Sequence, residues 1–228
     1  MKKKYIIVIG VAALLAVAVI GGTLASDYVE TKSKLEAKIS EKTLSVAIVD
    51  EKNEKIDEDK PLGTDVVPGG EILLNRSISN PEADGYDIYA RVSIFYDWDT
   101  VDTDEAYENR VFRLLLGDKE LIVGTSYENA VVNDGWIIVE NVPGQIVMYY
   151  TYPIKSGNSV CFLDAIQFDA NMDNAYAGAS LKLTYEVDAV QAGNKNVEVA
   201  KKAIASEWGV FATIEDGNIV AVSESNNR

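Results

Sequence analysis

Four carboxylates, Asp97, Asp99, Asp102 and Asp104, crowd into one short stretch and are followed at once by Glu105. Oxygen donors at that density suit Ca²⁺, a hard cation that takes about six to eight oxygen ligands. A second run, Asp169, Asn171 and Asp173, offers a D-x-N-x-D spacing of the same kind. Neither run carries the spaced glycine and closing glutamate of an EF-hand loop, and a plain solvated acidic loop is the competing reading of both. Calcium is thus the one cofactor that the residues suggest.

Other chemistry is narrowed by what the chain lacks. Histidine is absent, which removes His-based zinc sites, Ser-His-Asp and Cys-His nucleophile pairs, and histidine general bases. Cys161 is the single cysteine and stands in the apolar run Val160-Cys161-Phe162-Leu163. It forms no internal disulfide and reads as a buried, inert thiol, with an intermolecular bridge as the alternative. A carboxylate pair for glycoside hydrolysis is uninformative among 36 acidic residues. Tyr149, Tyr150, Tyr152 and Trp136 could stack on sugars, yet aromatics that alternate along strands are more often core and cross-strand pairs. No catalytic residue is expected, and the chain reads as a non-enzyme.

The elements that would hold these residues are mostly strands. From Ile88 to Trp98, Ile88, Ala90, Val92, Ile94, Tyr96 and Trp98 alternate with Tyr89, Arg91, Ser93, Phe95 and Asp97, giving one apolar and one mixed face. Leu181 to Ala189 alternates more cleanly against Lys182, Thr184, Glu186 and Asp188. Further strands are expected over Thr43 to Val49, Glu71 to Ser79, Arg110 to Leu116, Glu120 to Val123, Trp136 to Glu140, Gln145 to Tyr152 and Ser159 to Phe168. Turn residues separate them, among them Pro68-Gly69-Gly70, Asn133-Asp134-Gly135 and Pro143-Gly144. About nine short strands without a βαβ rhythm predict an all-β fold, an antiparallel β-sandwich, jelly roll or barrel, over residues 43–193. Residues 194–228 add a short amphipathic helix from Val197 to Trp208, with Asn196 as N-cap and Gly209 past its end, then a hairpin about Asp216-Gly217 and a polar tail.

At the other end, Lys2, Lys3 and Lys4 precede an apolar run from Tyr5 to Gly22, and Thr23-Leu24-Ala25 follows. A basic n-region, an apolar h-region and a small-x-small site in that order predict a signal peptide over residues 1–25, with a retained anchor as the competing reading. Once the three leader lysines are gone, 18 of the 21 basic residues face 36 acidic ones. So anionic a surface repels phosphate backbones and anionic lipid, so neither nucleic acid nor a membrane is expected as partner after cleavage. Secretion to the extracellular matrix or cell surface is the expected localisation.

Residues 26–42 form a charged segment that reads two ways. At period two, Val29, Thr31, Ser33, Leu35, Ala37 and Ile39 share one side opposite Glu30, Lys32, Lys34, Glu36 and Lys38, as in a strand with one charged face. At period 3.6, Leu35 and Ile39 pair at i,i+4 and Glu30 pairs with Lys34, as in a charged helix. Both readings stand.

The order of these features resembles the TasA and camelysin (CalY) family of secreted Gram-positive proteins, which includes biofilm matrix fibre subunits. The resemblance is carried by the lysine-led leader ending near Gly21-Gly22-Thr23-Leu24-Ala25, the Thr43 to Ile48 strand, and the Val67-Pro68-Gly69 turn that opens the strand to Asn80. The Ile88 to Trp98 strand and the late run Gly178 to Tyr185 continue it, and Val187 to Gln191 with Ala203 to Trp208 resembles the endings of members processed by a dedicated SipW-type signal peptidase. The resemblance implies a jelly-roll sandwich and, for fibre formers, assembly in which an N-terminal strand of one subunit completes the sheet of the next. On this chain the self-assembly residues would be Val29, Leu35, Ala37 and Ile39, and the partners further copies of itself or other matrix and cell-wall components. The stretch between Ala25 and Thr43 is more charged than a donor strand requires, and a monomeric carbohydrate- or protein-binding wall module is the alternative.

Overall fold

The alternation over residues 88–98 is realised side chain by side chain: Ile88, Ala90, Val92, Ile94, Tyr96 and Trp98 are at most 3% exposed, while Arg91, Phe95 and Asp97 look outward. The computed structural model describes residues 44–50, 52, 54, 67–98, 110–172, 176, 179–193 and 196–224. Among them the strands are β1 (Ala47–Val49), β2 (Glu71–Ser79), β3 (Ile88–Trp98), β4 (Phe112–Leu116), β5 (Lys119–Glu120), β6 (Val132–Asn133), β7 (Trp136–Val142) and β8 (Gln145–Tyr150). They continue with β9 (Ser159–Phe168), β10 (Leu181–Gln191), β11 (Val210–Glu215) and β12 (Asn218–Glu224), with helix α1 (Val197–Trp208) between β10 and β11.

Two five-stranded antiparallel sheets result, sheet I in the order β1-β2-β9-β4-β5 and sheet II in the order β10-β3-β8-β7-β6. Their apolar faces meet to form an all-β sandwich. Aromatic pairs lock the layers together: Tyr96 meets Phe112 edge-on at 5.1 Å, Trp98 lies 6.2 Å from Phe168, and Phe162 touches both Trp136 and Tyr185 at 6.3 and 5.9 Å. Each such pair adds about 0.5–1.5 kcal/mol beyond the burial of its area.

β2 and β9 each take one extra residue where they pair. Three steps of β2, from Leu73 to Arg76, face two of β9, and then two steps of β9, from Leu163 to Cys161, face one of β2. Asn75 absorbs the first irregularity with φ of 50°. The bulges bring Leu163 into the core beside Phe162 and leave Asp164 half-buried within reach of Cys161.

α1 and the β11–β12 hairpin form a third layer on the outward face of sheet II. Asn196 caps the helix by accepting from the N–H of Glu198 at 3.2 Å, and Gly209 ends it in the left-handed region at φ 67°. Ala200, Ile204 and Trp208 are buried against Tyr89, Ile137, Val139, Tyr149 and Val190. Tyr89 also donates its hydroxyl to the carbonyl of Gly217 at 2.7 Å.

Several expected strands are shorter or longer than their sequence pattern. Of the expected Thr43 to Val49 strand, Thr43 lies outside the described residues and only Ala47–Val49 of the rest is strand, because Ala47 already pairs with Ser79, the last residue of β2. Beyond it the Asn80 backbone is taken by Asn158 and Gly157, and Pro81 has no N–H to offer. The strand expected over Glu120 to Val123 is Lys119–Glu120, since after Leu121 the chain leaves sheet I and Gly124 bridges to Val139 of sheet II. β6 and the 3-10 turn Tyr127–Asn129 are additions to the expected elements. The leader and the segment Val29 to Ser40 lie outside the described residues.

Candidate functional site

A sandwich has four edges, and here they are unequal. β1 has three residues, and β5 and β6 have two each, the short lengths by which sheets avoid pairing with strangers. β10 has 11. It pairs along its whole length with β3, from Leu181 opposite Trp98 to Gln191 opposite Ile88, and on its other side it has no strand partner among the described residues. Every second residue therefore turns an unmatched N–H and C=O sideways.

The side chains along this edge change character from one end to the other. Leu181, Leu183 and Tyr185 are buried in the core, but Val187 and Ala189 on the same face are half-exposed. Across the gap, Val46 and Ile48 on the β1 side are likewise half-buried. Among the described residues, the apolar seam between the sheets is thus incompletely closed beside the longest edge strand. Two donors in the interior here find no acceptor: Nε of Arg76 and the hydroxyl of Tyr185. The Arg76 guanidinium lies over the Tyr185 ring at 5.9 Å and spends Nη1 on the Leu74 carbonyl at 2.5 Å. Burial pushes the Tyr185 phenol up to about 12, although the neighbouring guanidinium pulls the other way.

On the outward face the same strand is tied to the third layer. Asp188 accepts from Nη2 and Nε of Arg91 at 2.6 and 3.1 Å, and Arg91 Nη1 donates to the carbonyl of Trp208 at 3.0 Å. Tyr149 beneath them shares a hydrogen bond with Tyr127 at 2.9 Å; burial first, and that contact second, raises its pKa. A second polar network closes the far end of sheet II. Glu140 accepts from the Tyr96 hydroxyl, from Arg110 Nη1 at 2.7 Å and from the Gly144 N–H at 3.3 Å. Each oxygen of that carboxylate is engaged.

Of the calcium candidates, Asp97 is described and accepts from the Trp98 N–H at 2.9 Å, whereas Asp99, Asp102 and Asp104 lie outside the described residues. Asp169 and Asn171 are folded onto one another, with the Asn171 N–H donating to Asp169 at 2.8 Å, and Asp173 lies outside. Among the described residues no three acids or cysteines converge as a metal site. The assembly residues Val29, Leu35, Ala37 and Ile39 also lie outside.

Cys161 departs from the buried thiol expected of its apolar run. It is half-buried and donates to the Arg76 carbonyl at 3.3 Å and to Asp164 at 3.0 Å, because the bulges change which side chains face the core. Burial first, and Asp164 second, push its pKa up to about 11, so it is a poor nucleophile at neutral pH. Trp136 and Tyr149 are wholly buried and Tyr150 packs on the core, so of that aromatic group only Tyr152 is exposed. No protein-family model, curated protein or solved structure matches this chain.

Proposed function

We propose that this chain is a secreted, non-enzymatic structural protein of a cell surface or biofilm matrix, of the TasA and camelysin kind, that joins copies of itself by strand addition. The interleaving of β2, β9 and β4 in one sheet with β3 and β8 in the other supports the jelly-roll form of the sandwich. The carrying observation is the β10 edge, a long unpaired strand beside a half-open apolar seam. An extended peptide laid along it would satisfy the sideways N–H and C=O groups and cover Val187 and Ala189. The segment Val29 to Ser40 is about as long as the 11 residues of β10, and its one uncharged side presents Val29, Leu35, Ala37 and Ile39.

The mature chain from Ser26 onward is expected to form oligomers or fibres in size-exclusion chromatography and electron microscopy. Leu35→Asp with Ile39→Asp is expected to remove the donor, and Val187→Lys the acceptor, each leaving a monomer of nearly unchanged melting temperature. Mixing the two variants is expected to give pairs and nothing longer, since each retains one half of the contact. A wild-type chain that stays monomeric throughout, or a donor variant whose monomer melts well below wild type, would overturn the reading.

A further inference from the structure

Among the described residues the third layer covers only part of the outward face of sheet II, and the remainder holds a groove of about 440 Å³ between β10 and the β7–β8 hairpin at Val142 to Gly144. Registers on three strands place Thr184, Phe95 and Gln145 in one row, with Phe95 directly opposite both others. Phe95 is half-exposed at the centre of that row. Neighbouring strands stand about 4.8 Å apart, so a hydroxyl-bearing and an amide-bearing residue flank Phe95, one on either side. Lys182 lies beside Asp97 in the next row. Among the described residues the Thr184 hydroxyl, the Gln145 amide and the Lys182 ammonium make no side-chain hydrogen bond. Among the described residues, the other aromatics on sheet II are largely core, and an aromatic ring on the outward face rimmed by polar groups is the exception.

We infer that this groove binds a neutral saccharide, one pyranose ring lying on Phe95 with its hydroxyls bonded to Thr184 and Gln145. A pyranose has an apolar face of C–H groups and a rim of hydroxyls that both donate and accept, which matches an aromatic floor with an amide and a hydroxyl at its margins. A formal charge of −15 excludes acidic polysaccharides and nucleotides as the preferred occupants. The site is independent of the β10 edge contact, because its side chains project from the sheet face rather than along its rim.

The test titrates the full mature chain with soluble glucose and N-acetylglucosamine hexasaccharides, following calorimetric heat and amide chemical shifts. Saturable binding of at least one is expected. Phe95→Ala is expected to weaken it about tenfold or more, Gln145→Leu and Thr184→Val about three- to tenfold each, and Phe95→Tyr to retain it. The two polar substitutions sit on the surface and keep the test valid if Phe95→Ala unfolds. The assembly-deficient Leu35→Asp, Ile39→Asp chain should bind as wild type, which separates failure of this site from failure of strand addition. Absence of binding to both hexasaccharides, or wild-type affinity in Phe95→Ala or in both polar variants, would overturn the inference.

Discussion

Arg91 leaves β3 on the outward face of sheet II and ends between a carboxylate and a helix terminus. α1 has no basic residue in its own last turn, so the charge that its C-terminal carbonyls favour comes from another strand. The two contacts differ in worth. Asp188 is 45% exposed on its side chain and water can replace its partner, whereas the Trp208 carbonyl receives a charge-assisted bond beside a stacked indole, 5.8 Å from the guanidinium carbon. Arg91→Leu should therefore cost about 2 kcal/mol of folding stability and Asp188→Asn less than about 1, as read by urea unfolding. Equal losses in the two variants would mean that the ion pair, and not the helix cap, carries the effect. Arg76 is the contrast: Arg91, Arg110 and Arg113 all have carboxylate partners among the described residues, and Arg76 instead lies over Tyr185.

The third layer is an element with its own apolar centre, and Ile204 is its most buried helical side chain. Ile204→Ala should cost about 2–4 kcal/mol by leaving a cavity that rigid sheet neighbours cannot fill. Hydrogen exchange should show protection falling first in α1, β11 and β12 while β2, β3 and β9 keep theirs; uniform loss across all strands would show that the layers unfold as one. This helix was legible in the sequence because its caps and its i,i+4 spacing are local, and Val197 to Trp208 is observed to the residue. β3 and β10 were legible for the same reason, since a period of two over 11 residues is read along one strand. The ends of β1 and β5 were not, because what stops them is a neighbour's last residue or a change of sheet. The groove row was also hidden: Thr184, Phe95 and Gln145 become neighbours only through register across three strands. Along β3 alone Phe95 is one member of a mixed face.

For the molecule as a whole, the absence of histidine and the burial of its phenols set the response to pH. Tyr89, Tyr96, Tyr149, Tyr150, Tyr185 and Cys161 all have raised pKa values, with burial the first cause in each. The unfolded chain loses these protons near pH 9 to 10, as a free thiol and free phenols do, while the folded chain holds them longer. The unfolded state then binds fewer protons, and stability must fall as pH rises. It is fully present below about pH 9 and declines towards pH 11 and 12. With no histidine to titrate, the melting temperature should be nearly level from pH 6 to 8.5 and drop beyond it, and a curve level to pH 11 would contradict the assignment of buried, neutral phenols. The interleaved strand order has a further consequence, in time rather than in space. Ile78 pairs with Val160 and Trp98 with Leu181, so the two longest ladders each join residues separated by most of the sandwich sequence. Among the described strands, only the local hairpins, β4–β5, β6–β7, β7–β8 and β11–β12, can close as they emerge from a ribosome. Topologies so rich in distant contacts fold in about milliseconds to seconds rather than microseconds, and the first strands made must wait for nearly the last before either sheet has a centre.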